Sequence, residues 1–475
     1  MSVSPPQVDD VPARVSAERW SVVPLLRRLH FYAGVLVAPF LVVAAASGLL
    51  YALAPQIDDV LYGDLLRVPS ATGAPRPLAE QVTAARTALP EGTVTGVLVA
   101  EEPDATTQVV FALPGLAEDY SQTVYVNPHT GQVQGQLTTW FGSTPVTTWL
   151  DGLHRHLQLG EPGRLYSELA ASWLWVIALG GLVLWLVRQR TARRRVRALV
   201  VPEKGAKGVR KTRSWHASVG MWVLLGALFL SATGLTWSTY AGENFTAVLV
   251  ALNAKAPALD TALPGTNGSG TTGSGAHEQH STGTSDKTDP VDPATFDRVL
   301  TTARGAGLDG PLQLGVAGEP GSAWTAAQVD NTWPVRLDKV AVDPASAAVT
   351  ARADFADRPL LAKLSSLGIQ AHMGRLFGAA NQIVLFLLAA GILTLIVLGY
   401  RMWWQRRPTR DDRSTPLGAP PARGAWQQLP LWAVIPGPLV LITIGWAIPL
   451  LGLSLLAFLV IDGLIGLARR TRQAR

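Results

Sequence analysis

The sequence predicts an α-helical membrane bundle of about six spans, built as a tandem span–domain–span repeat and carrying two small external α+β domains. Three observations predict it. Apolar runs long enough to cross a hydrocarbon core of about 30 Å recur near 30–53, 168–187, 215–239 and 379–400, with a longer one over 431–467. Basic and acidic residues segregate into alternate connections between those runs. The chain also repeats itself in register, so one half predicts the other.

An extension over 1–27 precedes the first span, 28–54, which contains LHFYAGVLVAPFLVVAAASGLLYAL from Leu29. A cleaved leader fits this segment poorly, because its apolar stretch is longer than a leader's and a polar extension precedes it. Residues 55–165 form the first external domain. It has a helix-like LAEQVTAARTAL and then VYVNPHTGQVQGQ, a strand, an Asn-Pro turn and a strand. The second span, 166–187, leads to a basic loop, 188–214. The third span, 215–240, holds WHASVGMWVLLGALFLSATGLTWST from Trp215.

The second external domain, 241–371, repeats the helix-like stretch (PATFDRVLTTARGAG) and the hairpin (VAVDPASAAVTAR), and adds a Gly/Ser/Thr-rich linker at 263–289. The fourth span, 372–400, is followed by a loop, 401–430. The run 431–467 reads as a hairpin turning near Ile448-Pro449, before a tail at 468–475. As one helix it would place the basic tail outside, against the charge rule.

Residues 188–214 hold eleven Lys/Arg against one acid, Glu203, and 401–424 hold six against two. The stretch 55–165 has five basic and twelve acidic residues, and 241–377 has ten and fourteen. Positive charge marks the cytoplasmic side. Both termini are therefore expected inside and both domains outside a cytoplasmic membrane. The net charge of +6 is a topology signal and no nucleic-acid footprint. Cysteine is absent, which excludes disulfides, thiolate metal sites and thiol catalysis.

The repeat places chemistry in register. His30 and Gly34 recur as His216 and Gly220, and Ser47-Gly48 recurs as Thr233-Gly234, all at an offset of 186 residues. HRHLQLGEPGRLYSELAASWLWVIALGGLVLWL aligns without a gap on HMGRLFGAANQIVLFLLAAGILTLIVLGYRMWW at an offset of 218, matching His154 to His372, Gly181 to Gly399 and Trp185 to Trp403. Histidines thus stand at both membrane faces: His30 and His216 inside, His154, His156 and His372 outside. His156 aligns with Gly374 and is the less favoured candidate.

On a helix His30, Gly34, Val37, Leu41, Ala44 and Gly48 share a face, as do their counterparts from His216. Two readings stand: close helix packing through small residues, or a flat macrocycle held by axial imidazoles with Gly34 and Gly220 making room for it. Arg28, Arg155 and Arg375 are candidates for its propionates, with surface or lipid-headgroup contact the favoured reading for any one of them.

Other features carry less. His277 and His280 belong to a solvated linker and lack zincin spacing. His129 has no counterpart and no role. Trp185, Trp403 and Trp404 read as an interfacial belt. Glu168 and Asp462, lying in apolar runs, are functional candidates by default. No hydrolase triad, phosphate loop or nicotinamide fingerprint is present.

The H-x-x-x-G…[ST]-G-L spans at His30 and His216, LHRHLQLGEPGRL at Leu153, HMGRLFG at His372 and the V-x-V-[ND]-P hairpins resemble the PepSY-associated transmembrane family, or iron-regulated membrane proteins, over about residues 25–407. The repeat suggests the pairs, His30 with His216 and His154 with His372, and with the resemblance these are expected to hold two haem b groups. The resemblance implies electron transfer across the bacterial inner membrane from a cytoplasmic or membrane donor to a ferric siderophore or iron chelate. The alternative is a non-enzymatic module whose PepSY domains bind a protease, peptide or envelope partner. A transporter is disfavoured, since the spans lack polar or broken mid-membrane segments.

Topology is directly testable. Reporter fusions at Gly205 and Gly270 should read cytoplasm and exterior respectively, and the reverse pattern would overturn the arrangement.

Overall fold

A computed structural model describes residues 22–69, 71–191, 197–263, 291–405 and 431–473. The linker residues 264–290, with His277 and His280, and most of the 401–430 loop lie outside the described residues.

The chain enters through α1 (Val23–Leu36) and α2 (Ala38–Ala52), bent by 59°. Pro39 accounts for the bend. It has no N–H to give the carbonyl of Val35, and the Tyr400 hydroxyl donates to that carbonyl instead at 2.9 Å. The continuous His30-to-Gly48 face expected from sequence is therefore broken in this copy. The second copy, with Leu225 at the matching position, forms one straight helix.

After α3 (Ala54–Leu66) and α4 (Leu78–Ala88) come β1 (Thr93–Val99), β2 (Thr107–Ala112), β3 (Tyr120–Val126) and β4 (Val133–Trp140). Then α5 (Pro145–His156) leads to α6 (Glu161–Thr191), the short α7 (Arg197–Val200) and α8 (Gly208–Leu235). The second copy follows with α9 (Tyr240–Ala251), α10 (Ala294–Gly305), β5 (Leu312–Gly315), β6 (Trp324–Gln328), β7 (Lys339–Val342) and β8 (Val349–Ala353). It ends in α11 (Leu360–His372) and α12 (Gly378–Gln405). Last are α13 (Leu431–Val434), α14 (Gly437–Ala447) and α15 (Pro449–Gln473).

In the bundle α1/α2, α6, α8 and α12 form a ring: α6 and α12 flank α8, α1 packs on α6, and α2 packs on α12. By length and composition α6, α8 and α12 can each cross a membrane, and the bent pair supplies a fourth span. The C-terminal hairpin does turn at Ile448, but α14 has only 11 residues, about 16 Å of helix. A count of six spans is thus not reached by these helices. α15 instead packs along α6, with Trp173 Nε1 donating to Ser454 Oγ at 2.9 Å.

The two strand-bearing units share one antiparallel sheet, ordered β4-β3-β2-β1-β5-β6-β7-β8. The seam is the pairing of β1 with β5, Gly96 opposite Gly315 and Val99 opposite Leu312. The backbones meet closely there: a Cβ on Gly96 would lie 2.7 Å from the Leu314 carbonyl oxygen. One core runs across the seam, with Val97, Phe111 and Val124 buried alongside Leu314, Trp324 and Val340. Joining the copies removes two exposed sheet edges.

The covering helices are tied across the seam as well. Asp297 of α10 accepts the N–H groups of Leu78 and Ala79, at 2.8 Å each, capping α4 in the other unit. Arg336 in the second unit pairs with Glu101 in the first and with Asp330. Removing a carboxylate cap costs about 0.5–2 kcal/mol. Asp297→Ala should therefore lower the thermal unfolding midpoint of the detergent-solubilised protein, and an unchanged midpoint would deny the cross-unit cap.

Candidate functional site

The repeat brings its histidines together in two pairs. His30 of α1 faces His216 of α8, ring centroids 6.4 Å apart and planes at 84°. His154 of α5 faces His372 of α11 at 6.2 Å and 67°. The pairs lie at opposite ends of the bundle, the second beside the sheet. Along unbroken α8, His216 is seventeen residues from Thr233, where the other pair is held. That is about 25 Å of helix, close to the thickness of a hydrocarbon core.

Each imidazole is held through Nδ1, and the support is symmetric. His30 Nδ1 lies 3.0 Å from the Ile177 carbonyl oxygen, and His216 Nδ1 lies 3.0 Å from that of Leu395. Both carbonyls stand four residues before a glycine against which the ring packs. A Cβ on Gly181 would come within 3.0 Å of His30 Cε1, and one on Gly399 within 3.8 Å of His216 Cε1. At the other end Ser47 Oγ meets His154 Nδ1 at 3.1 Å, and Thr233 Oγ1 meets His372 Nδ1 at 2.6 Å. Gly48 and Gly234 are the glycines beneath those rings.

Carbonyl oxygens only accept, so the His30 and His216 rings carry their proton on Nδ1 and keep a lone pair on Nε2. Neutral imidazole is the form that binds a metal.

The His30–His216 pair opens on a cavity of about 860 Å³, within the usual range of cofactor sites, roughly 300–1,000 Å³. Gly34 and Gly220 form part of its wall, and a Cβ on Gly34 would meet nothing within 4 Å. The repeat-related Trp185 and Trp403 also line it, which corrects their reading as a lipid-interface belt. Trp404, 57% exposed, still suits that reading.

Three arginines stand at this cavity that the sequence reading passed over: Arg27, Arg188 and Arg213. The signal was present, since Arg27 and Arg213 are repeat mates, each three residues before its histidine. The arginines expected there are engaged elsewhere. Arg28, 1% exposed, pairs with Asp462 of α15. Arg155 bonds Asp151 at 3.2 Å and lies over the Trp140 ring, and Arg375 bonds Tyr51.

Asp462 is thereby explained, and so is Glu168. The Glu168 carboxylate accepts the N–H groups of Tyr240 and Ala241 at 3.0 Å each, capping α9 where the chain leaves α8. His156 joins neither pair, and its buried Nδ1 has no hydrogen-bond partner. His129 bonds two loop carbonyls, Gly73 and Pro103. Among the described residues no cluster of three or more His, Asp or Glu gathers to hold a metal ion.

The family model described as the PepSY-associated TM region matches residues 27–406. The chain belongs to that family and is a membrane protein. The α13–α15 segment lies beyond the matched region. No curated protein matches the chain.

The glycine geometry makes a packing prediction. Gly181→Val should push the His30 ring off its carbonyl and destabilise the ligand-free protein by about 1–3 kcal/mol, the usual cost of overpacking. Gly34→Ala should not, because its methyl group enters open space. Thermal unfolding of both variants checks this, and equal loss from each would contradict the cavity wall described.

Proposed function

We propose that this member of the PepSY-associated TM family carries electrons across the cytoplasmic membrane on two b-type haems, one at each histidine pair. The observation that carries this reading is the spacing of the rings. A metal–imidazole bond is about 2 Å, and the ring centroid lies about 1 Å beyond the nitrogen. Two imidazoles sharing one iron therefore stand with centroids a little over 6 Å apart, as both pairs do here.

The chain's own residues fit the group. The Nδ1 bonds leave Nε2 for the iron and make the imidazole a stronger donor. Gly34 and Gly220 give a flat macrocycle room between the spans, and Trp185 and Trp403 wall it. Arg27, Arg188 and Arg213 offer cations for its carboxylates at the basic end of the bundle. Haem at each site would supply reversible one-electron chemistry without proton transfer.

A pair near each end shortens a gap too wide for a single site. Buried Leu41, Val223, Ala227 and Ile392 give the bundle between the ends an apolar interior. Electrons would enter at the His30–His216 end from a cytoplasmic or membrane donor. They would leave at the His154–His372 end, beneath the sheet, to a ferric siderophore or another ferric chelate. The positive-inside charge pattern supports that orientation, with the sheet outside.

The ligands are separable by mutation. His30→Ala and His216→Ala should each remove one haem component from the absorption spectrum, and His154→Ala and His372→Ala the other, while His129→Ala changes neither. In inside-out vesicles, losing an inner ligand should also stop cytoplasmic reductant from reducing the outer component. Full haem content in all four variants would refute the ligand assignment.

A further inference from the structure

We infer that Ser47 and Thr233 are positioning residues for the outer histidine pair, and that they hold it by a weaker acceptor than the backbone carbonyls supporting the inner pair. The inference rests on the two-haem reading and goes beyond it, because it gives the two ends of the bundle different electronic properties.

The hydroxyl protons decide the direction of the contact. Ser47 Oγ donates to the Val43 carbonyl at 2.7 Å, and Thr233 Oγ1 donates to the Phe229 carbonyl at 2.7 Å. A hydroxyl has one proton. Once it is given to the helix four residues back, the oxygen can only accept from the imidazole. His154 and His372 therefore carry their proton on Nδ1 and present Nε2, as the inner rings do.

The acceptors nevertheless differ between the ends. The inner rings meet peptide carbonyls, at Ile177 and Leu395. The outer rings meet alcohol oxygens, which bear less negative charge and pull less on the Nδ1 proton. A strongly held Nδ1 proton makes the imidazole more basic and favours the oxidised state of a bound iron. The inner site is thus expected at the lower reduction potential, and the outer site at the higher. One electron passing outward would then move downhill. The two outer rings are unequal: the Ala44 backbone also bonds His154, so the contrast with the inner rings is carried by His372 on Thr233.

Redox titration of the purified full-length protein tests this, with haem content measured first. Thr233→Val keeps the side chain's shape and removes the acceptor. It should raise the potential of the outer component by about a tenfold change in its reduction equilibrium, 59 mV for one electron, and leave the inner component unmoved. Ser47→Ala should act in the same direction but less, and Thr233→Ser should restore the wild-type value. The low-spin ferric resonance of the outer component should change with Thr233→Val, because it reports the angle between the two rings. Wild-type potentials and resonance in both Thr233→Val and Ser47→Ala would overturn the inference while leaving the haems in place. An inner component at higher potential than the outer would overturn the proposed gradient. Wild-type protein without haem would defeat the two-haem reading itself, and this inference with it.

Discussion

Placing an imidazole inside a helical bundle is costly unless its nitrogens find partners, and this protein does it four times. Each time the answer is a hydrogen bond from Nδ1–H to an oxygen of the helix the ring packs against, with a glycine below the ring to let it lie close. That bond fixes which helices must be neighbours. His30 requires α6 at Ile177 and Gly181, His216 requires α12 at Leu395 and Gly399, and the outer rings require α2 and α8. The ring of four spans is the arrangement that satisfies all of them together.

The same duplication governs the part outside the bundle. Each copy supplies four strands and a helix, too small a unit to bury both its faces and cover its edges. Pairing β1 with β5 makes them one sheet with one core, and Asp297 and Arg336 tie the copies at the seam. His154 and His372 stand in the last turns of α5 and α11, the helices that lead from the sheet into the spans. Sheet and outer pair are therefore positioned as a unit. The C-terminal helices stand outside this symmetry. They hold the first copy through Asp462 on Arg28, two residues from His30, and through Ser454 on Trp173, and they meet the second at α9, where Asn244 Nδ2 donates to the Trp446 carbonyl at 2.7 Å. Position 28 has Ser214 as its repeat mate, so the second copy has no arginine to offer there.

The histidine pairs were legible in the sequence because a repeat in register is a statement about symmetry, and symmetry pairs equivalent residues. The Ser47-Gly48 and Thr233-Gly234 signature was legible as a pattern. Its use was not, since the imidazoles it supports lie more than a hundred residues away. The hairpins at Asn127-Pro128 and Asp343-Pro344 announced themselves through local turn chemistry. The β1–β5 seam did not, because it joins strands over two hundred residues apart and β5 has only four residues. The same limit hid the partners of Arg28, Glu168 and Trp185. A charge or indole in an apolar run signals that a partner exists, and only packing says which. Pro39 was visible, yet whether it would bend its span depended on Tyr400 being near enough to take up the released carbonyl.

The account stands on two like sites in one chain, so its most direct measurement is the ratio of haem to protein in the purified wild type, with the spin state of the iron. Two haems per chain, both six-coordinate and low-spin as two axial imidazoles require, is the predicted result. A haem-free protein, a single haem, or an iron lacking its second nitrogen ligand would contradict it.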